Sequence, residues 1–151
     1  MDIYIASSWR NQHAVEMLTD HLEERGHSVV SFVRQSRADG VDERTVSVEE
    51  WISSEAGARK FRYDVAGAID SDVVIYIGPS GTDAWAEVGA AYAAGRPIYG
   101  LWAKGEAAGL MRRMMTQWFT DYRQLLCALD VPAPQTHRAR RIRDEARRLA
   151  Q

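Results

Sequence analysis

Apolar and polar positions alternate along this chain with two different periods, and the switches between them mark out its elements. Ile3-Tyr4-Ile5-Ala6 reads as a short buried strand. Residues 11–25 carry Ala14, Val15, Leu18 and Leu22 at helical spacing, and Gly26 supplies a C-terminal stop. Val29 to Val33 predicts a second strand, and the polar run 34–46, with Asp39-Gly40, predicts a loop. A helical segment containing Trp51 follows, then another from about Ala58 to Ile69. Val73-Val74-Ile75-Tyr76-Ile77 is the clearest strand, ended by Gly78-Pro79-Ser80-Gly81. Residues 82–94 form an alanine-rich helix closed by Gly95, and Pro97 to Trp102 is a fourth strand. Leu110 to Met115 reads as helical, a short fifth strand lies near Trp118, and Thr120 or Asp121 caps a helix through Leu129.

Continuously apolar strands separated by helices imply a parallel sheet covered on both faces. Five such strands in one chain predict an α/β, flavodoxin-like doubly wound five-stranded parallel sheet in a single domain, residues 1–131. Pro132 to Gln135 reads as a linker to a basic, helical C-terminal tail, residues 132–151. In this fold the ligand crevice lies beyond the carboxyl ends of the strands, where the strand order reverses.

Composition narrows the classes. The 151 residues are 46% hydrophobic and 26% charged, which suits one globular domain. No stretch approaches the ~20 apolar residues that a membrane span needs. The start, Met-Asp-Ile-Tyr-Ile-Ala, has no basic leader before its apolar run, so no secretory signal is expected. Cys127 is the one cysteine; it permits no internal disulfide and fits a reducing cytoplasm. Net charge is −2, but residues 132–151 hold six arginines against Asp144 and Glu145, leaving −6 for the rest. A body of that sign is a poor nucleic-acid binder. The tail reads as an exposed charged helix or a subunit contact.

The switch-point rule directs attention to two segments. Ser7-Ser8-Trp9-Arg10-Asn11 follows the first strand. Its hydroxyls, guanidinium and free backbone N–H groups suit a phosphate or another anion; the alternative is that Ser8 or Asn11 only caps the helix. The P-loop pattern and the Gly-x-Gly-x-x-Gly fingerprint are both absent. After the third strand, Asp83 and Glu87 stand four apart on one helix face. Glu87 lies between Ala86 and Val88 on an otherwise small and apolar helix, an uncommon setting for a surface glutamate. The helix dipole is expected to keep it ionised, as a nucleophile requires, while Asp83 acts in the opposite sense. A third acid, Asp64, belongs to the helix entering strand three. Three acids and four scattered histidines do not make a zinc site, and no Gly-x-Ser-x-Gly elbow is present.

At these residues the chain resembles the nucleoside 2-deoxyribosyltransferases and the related 2′-deoxynucleoside 5′-monophosphate N-glycosidases. Tyr4-Ile5-Ala6-Ser7-Ser8-Trp9 looks like the family's opening strand and loop. Asp64-Val65-Ala66-Gly67-Ala68-Ile69 is similar to its Asp-x-x-Gly-Ile element. Ala86-Glu87-Val88-Gly89, with Ala91, Ala93, Gly95 and Pro97, matches the signature that holds the nucleophile, Arg96 replacing the usual lysine. The likeness spans residues 3–130.

The resemblance implies an enzyme that cleaves the N-glycosidic bond of a nucleoside, deoxynucleoside or nucleoside 5′-monophosphate, passing the sugar to water or to another base. Glu87 would be the nucleophile forming a covalent glycosyl-enzyme, Asp64 would protonate or orient the base, and Tyr4 would hold Glu87. Trp9 would stack on the base, and Ser7, Ser8, Arg10, Ser80 and the Gly81 amide would hold the 5′ end. The transferases place their second acid further upstream than Asp83 stands from Glu87, so the resemblance carries over no firm sugar-binding role for Asp83. The loops Ser8-Trp9-Arg10 and Pro79-Ser80-Gly81 look more like those of the monophosphate hydrolases and tilt the substrate toward a nucleotide. No cofactor and no metal are implied. The expected partners are a small-molecule nucleoside or nucleotide and further copies of the chain, in a homodimer or higher homo-oligomer, with neither membrane nor nucleic acid; Met111, Met114, Met115 and Trp118 read as plain core first and as a subunit contact second. Two other readings stand beside this one. A TIR-like NAD glycohydrolase would use Ser80, Trp85 and Glu87, and a non-catalytic nucleotide-binding or sensor module would keep the pocket without the reaction.

Overall fold

A computed structural model describes residues 1–39, 47–107 and 109–130. Five strands, β1 (Asp2–Ala6), β2 (Ser28–Ser31), β3 (Val73–Ile77), β4 (Ile98–Leu101) and β5 (Gln117–Phe119), form one sheet in the order β2-β1-β3-β4-β5. Every pairing is parallel, with Ile3 opposite Val73, Ile75 opposite Tyr99 and Leu101 opposite Phe119. This is the doubly wound order expected from the apolar runs, and the sequence of strands reverses between β1 and β3.

Strand side chains alternate across the sheet, so each strand feeds two cores. Ile3, Ile5, Val73, Ile75, Ile77 and Tyr99 face α1 (Gln12–Glu24) and α6 (Tyr122–Leu129), whose Val15, Leu18, Leu22, Leu125, Leu126 and Leu129 complete that layer. Tyr4, Ala6, Val74, Tyr76 and Ile98 face α4 (Glu55–Asp70) and α5 (Thr82–Ala93), which supply Ala68, Ala84, Val88 and Ala91. All five residues of β3 are buried, as expected for a central parallel strand. Each fully buried Ile or Leu adds roughly 1.5–3 kcal/mol to these layers. Small residues on α4 and α5 let both helices lie close to the sheet, and that closeness brings polar groups from three elements together below.

Several boundaries differ from the sequence reading. Phe32 and Val33 do not extend β2. They begin α2 (Phe32–Asp39) and pack into the α1 side, where the polar run had predicted a loop. A separate short helix, α3 (Val48–Ser53), carries Trp51 and ends at Ser54, whose hydroxyl caps α4. Residues 110–114 form a 3-10 turn, with Met115 buried, Met114 partly buried against the α5 side, and Leu110 and Met111 exposed. Asp121 caps α6 through its carboxylate, and Cys127 faces outward from that helix rather than into the core. Gly26 (φ 80°) and Gly95 (φ 74°) adopt the left-handed turn that stops α1 and α5. The linker and basic tail, residues 132–151, and the loop glycine Gly40 lie outside the described residues. Among the described residues no helix is long and apolar enough to cross a membrane.

Candidate active site

The chain leaves the sheet on either side of the switch point, from β1 into Ser7–Asn11 and α1, and from β3 into Gly78–Gly81 and α5. These two exits are tied together by side chains. Ser7 Oγ and Ser80 Oγ both donate to the Ile77 carbonyl, at 2.9 and 2.7 Å, and lie 3.3 Å apart. The Asn11 amide nitrogen reaches the Pro79 carbonyl at 2.9 Å, the Ile77 carbonyl and Ser7 Oγ at 3.2 Å, and Ser80 Oγ at 3.3 Å. With two N–H groups for those acceptors, it shares them. Neither Ser8 nor Asn11 makes a side-chain capping bond, so the helix-cap reading of these residues does not hold: Asn11 is spent across the crevice instead. Asn11→Ala is expected to cost about 1–2 kcal/mol, because the Pro79 carbonyl loses this donor in a half-buried place, while Ile77 keeps the two serine hydroxyls. Urea unfolding with an unchanged m-value checks this.

The acids converge on the opposite, α4–α5 side of β1. Tyr4 is fully buried, and Gly67 on α4 lies flat against its ring: a Cβ there would overlap the aromatic carbons. The Tyr4 hydroxyl is buried and meets no group in hydrogen-bond geometry among the described residues. Burial first, then the carboxyls of Glu87 and Asp64, raise its pKa far above the usual phenol value. Glu87, from the second turn of α5, is pushed up to about 8. Burial is the main cause and the Asp64 carboxyl the second; Tyr4 and Lys60 act against them, and Asp83 adds to the rise. The expectation that the helix dipole holds Glu87 ionised is therefore overturned. The dipole fades beyond the first turn, and desolvation at Glu87 outweighs it.

Asp64 is paired with Lys60, one turn earlier on α4, and the two side chains are only 17% and 12% exposed. The Lys60 ammonium also lies 5.8 Å from the Phe32 ring centroid. Phe32 in turn meets Trp9 edge-on, with centroids 5.0 Å apart. Trp9, Phe32, Lys60 and Asp64 thus form one continuous wall from the β1 exit to α4. Trp9 keeps 41% of its surface open.

The remaining predicted residues sit at the rim. Arg10 is exposed and Ser8 half-buried. Gly81 is the N-cap of α5 and offers no side chain, so the first-turn N–H groups of that helix have no side-chain cap. Asp83 stands exposed one turn before Glu87. Trp85, by contrast, is packed on Tyr76 at 4.8 Å and belongs to the core layer.

Two residues escaped the sequence reading. Lys60 had a visible signal, its i,i+4 spacing to Asp64 on a predicted helix. Glu106 had none. It lies in the loop after β4, accepts the Tyr76 hydroxyl at 2.9 Å, and covers Gly78 so closely that a Cβ would strike its carboxylate. Tyr76 Oη also accepts the Ser80 N–H at 3.2 Å, which fixes the loop that precedes α5. Arg96 donates through Nε to the Ile69 carbonyl at 2.6 Å, tying the end of α5 to the end of α4.

A phenol and two carboxyls on three different elements, one of them with its pKa near neutrality, can store and move a proton beside a nucleophilic oxygen. No cluster of metal-binding side chains occurs among the described residues.

No protein-family model and no curated protein sequence matches the chain. Solved structures do. A 2-deoxyribosyltransferase from the psychrotolerant bacterium Bacillus psychrosaccharolyticus superposes with a TM-score of 0.60 at 22% identity, over 83% of this chain and 90% of that one. The Clostridium botulinum CMP N-glycosidase BcmB gives 0.54 at 17% identity, over 87% of this chain and all of the other. A conserved protein from Enterococcus faecalis V583 gives 0.50 at 18% identity, over 91% and 79%. The resemblance first carried by three short motifs is thus also a resemblance of structure: the chain has the flavodoxin-like α/β fold of a 2-deoxyribosyltransferase and a CMP N-glycosidase.

Proposed function

We propose that this protein is an N-glycosidase or glycosyltransferase acting on a nucleoside, deoxynucleoside or nucleoside 5′-monophosphate, with Glu87 as nucleophile. The observation that carries the reading is the convergence of Tyr4, Asp64 and Glu87 from β1, α4 and α5. The Glu87 carboxylate attacks C1′ of the sugar through an oxocarbenium-like transition state. The C1′–N bond breaks, and its electron pair leaves with the base, which takes up a proton. Asp64 orients or protonates that base, and Tyr4 bounds the position of Glu87. Water then attacks C1′, the bond from C1′ to the Glu87 oxygen breaks with its electron pair returning to the carboxylate, and the water's proton passes to solvent; a second base in place of water gives transfer.

Trp9, half-open at the end of its wall, is the stacking surface for the base. The 5′ end lies toward Arg10, Ser8 and the first-turn amides of α5 from Gly81 onward, a setting suited to an anion. Ser7 and Ser80, whose hydroxyls already serve Ile77, hold those loops in place and offer a ligand only lone pairs. Asp83 guards the rim of the same site. The homo-oligomer expected from the resemblance belongs to this proposal, with exposed Leu110 and Met111 at its contact.

A chromatographic panel tests the reading: deoxynucleosides, deoxynucleotides, ribonucleotides and NAD, each with and without an added acceptor base. Free base from one nucleoside or nucleotide class is the expected result. Release of nicotinamide alone would favour the NAD glycohydrolase. No release from any compound would leave a nucleotide-binding module.

A further inference from the structure

A buried pair of carboxyls is unstable as two charges, and Asp64 lies near enough to Glu87 to disfavour its ionisation. The groups that face Glu87 are Tyr4 from β1, Asp64 and Lys60 from α4, and Asp83 from its own helix. Lys60 is the cation in that set. Its position is over-determined: an i,i+4 ion pair with Asp64, the Phe32 ring under its ammonium, and a side chain only 12% exposed. An exposed ion pair would be screened and worth little, whereas one enclosed like this is screened much less.

We propose that Lys60 is a positioning residue of this centre: its enclosed ammonium, held between the Phe32 ring and the Asp64 carboxylate, is the counter-charge that lets Asp64 and Glu87 share one site and lets Glu87 ionise. Its consequence for rate rests on the reading of Glu87 as nucleophile, while its effect on Glu87 ionisation does not. Lys60 touches Asp64 and the aromatic wall, so it acts through the acids.

Two readouts on the full chain test this. The first is titration of the Glu87 carboxyl by ¹³C NMR, assigned by the signal lost in Glu87→Gln. The wild-type midpoint is expected near 8. In Lys60→Met, which keeps an unbranched stem against Phe32 and removes the charge, the midpoint is expected to rise by about one pH unit or more. Lys60→Arg, which keeps the charge, is expected to stay near wild type. The second readout is the acidic limb of kcat/KM, which should move with the NMR midpoint. A residue that only packs would lower kcat at every pH and leave both midpoints in place. A folded Lys60→Met with an unmoved Glu87 midpoint overturns the inference, as does an Arg variant displaced as far as the Met one. Should Lys60→Met fail to fold, Lys60→Gln is read in the same way. Wild-type protein that releases no base but shows the shifted titration would overturn the proposed function and leave this inference standing.

Discussion

Glu87→Ala is expected to lose base release almost entirely, with kcat lowered on the order of 10³-fold or more, while the protein stays folded. The loss follows from what the side chain supplies. Without the carboxylate no glycosyl ester forms, and what remains is the binding of the sugar and base by the walls of the site. The fold should survive because Glu87 contributes no hydrophobic contact to the α5 layer, which is built by Ala84, Val88 and Ala91. Alanine is also the best helix former for an exchange inside α5. Release of base measured by chromatography, beside circular dichroism of the same preparation, decides the matter. A soluble, folded variant with wild-type turnover would remove Glu87 from the mechanism.

The second large effect is on stability and has a definite sign. Glu87 has a folded pKa of about 8 against an ordinary value of 4.5, so the folded chain binds this proton more tightly than the unfolded chain. Below about 4.5 both states hold the proton and the contribution is fully present. Between 4.5 and 8 the unfolded chain releases it first, and stability falls by something of the order of 4 kcal/mol. Above 8 both states are ionised and no more is lost. Glu87→Gln has no such proton. Its stability relative to wild type should therefore rise across that window, leaving the variant several kcal/mol better placed at pH 8 than at pH 4.5. Urea unfolding of both proteins at the two pH values measures the difference. A gap that is the same at both would mean that Glu87 is not desolvated in the folded protein.

The same residue shows how far sequence reasoning reaches. Glu87 stood out because a charged group among alanines on an apolar helix needs an explanation, and Asp64 and Tyr4 came with it through the motifs. Their meeting could not be seen from spacing. It depends on Gly67 letting α4 lie against the Tyr4 ring, which is a contact between residues 63 positions apart. The ionisation of Glu87 is hidden from the sequence for a related reason. Helix position is visible in the sequence, whereas the degree of burial that outweighs it is set by the tertiary packing of α4 on α5.

The fold itself was more legible. β3 was delimited correctly because five consecutive apolar residues flanked by Asp72 and Gly78 permit little else. The end of β2 was not, since Phe32 and Val33 continue its apolar run while turning into α2 and packing beneath α1. The inward stripe of α6 is Leu125, Leu126 and Leu129, which turns Cys127 to solvent, and helical spacing alone does not say which stripe faces the sheet. Glu106 sat in a loop with no periodicity to mark it, and only its bond to Tyr76 reveals that it braces the segment before α5. Asn11 carried a signal, but the wrong one. Asparagine before a helix ordinarily caps it, and here the neighbouring carbonyls of Ile77 and Pro79 compete successfully for its amide.

The central claim is a covalent bond between Glu87 and a sugar. Acid-quenching the protein during turnover of the substrate found by the panel, then digesting it and mapping masses, tests that claim most directly. The predicted result is a pentosyl or deoxypentosyl increment on the peptide containing Glu87, absent from Glu87→Ala, with products that retain the configuration at C1′. An increment on a different residue, or turnover with inverted configuration and no increment anywhere, would contradict it.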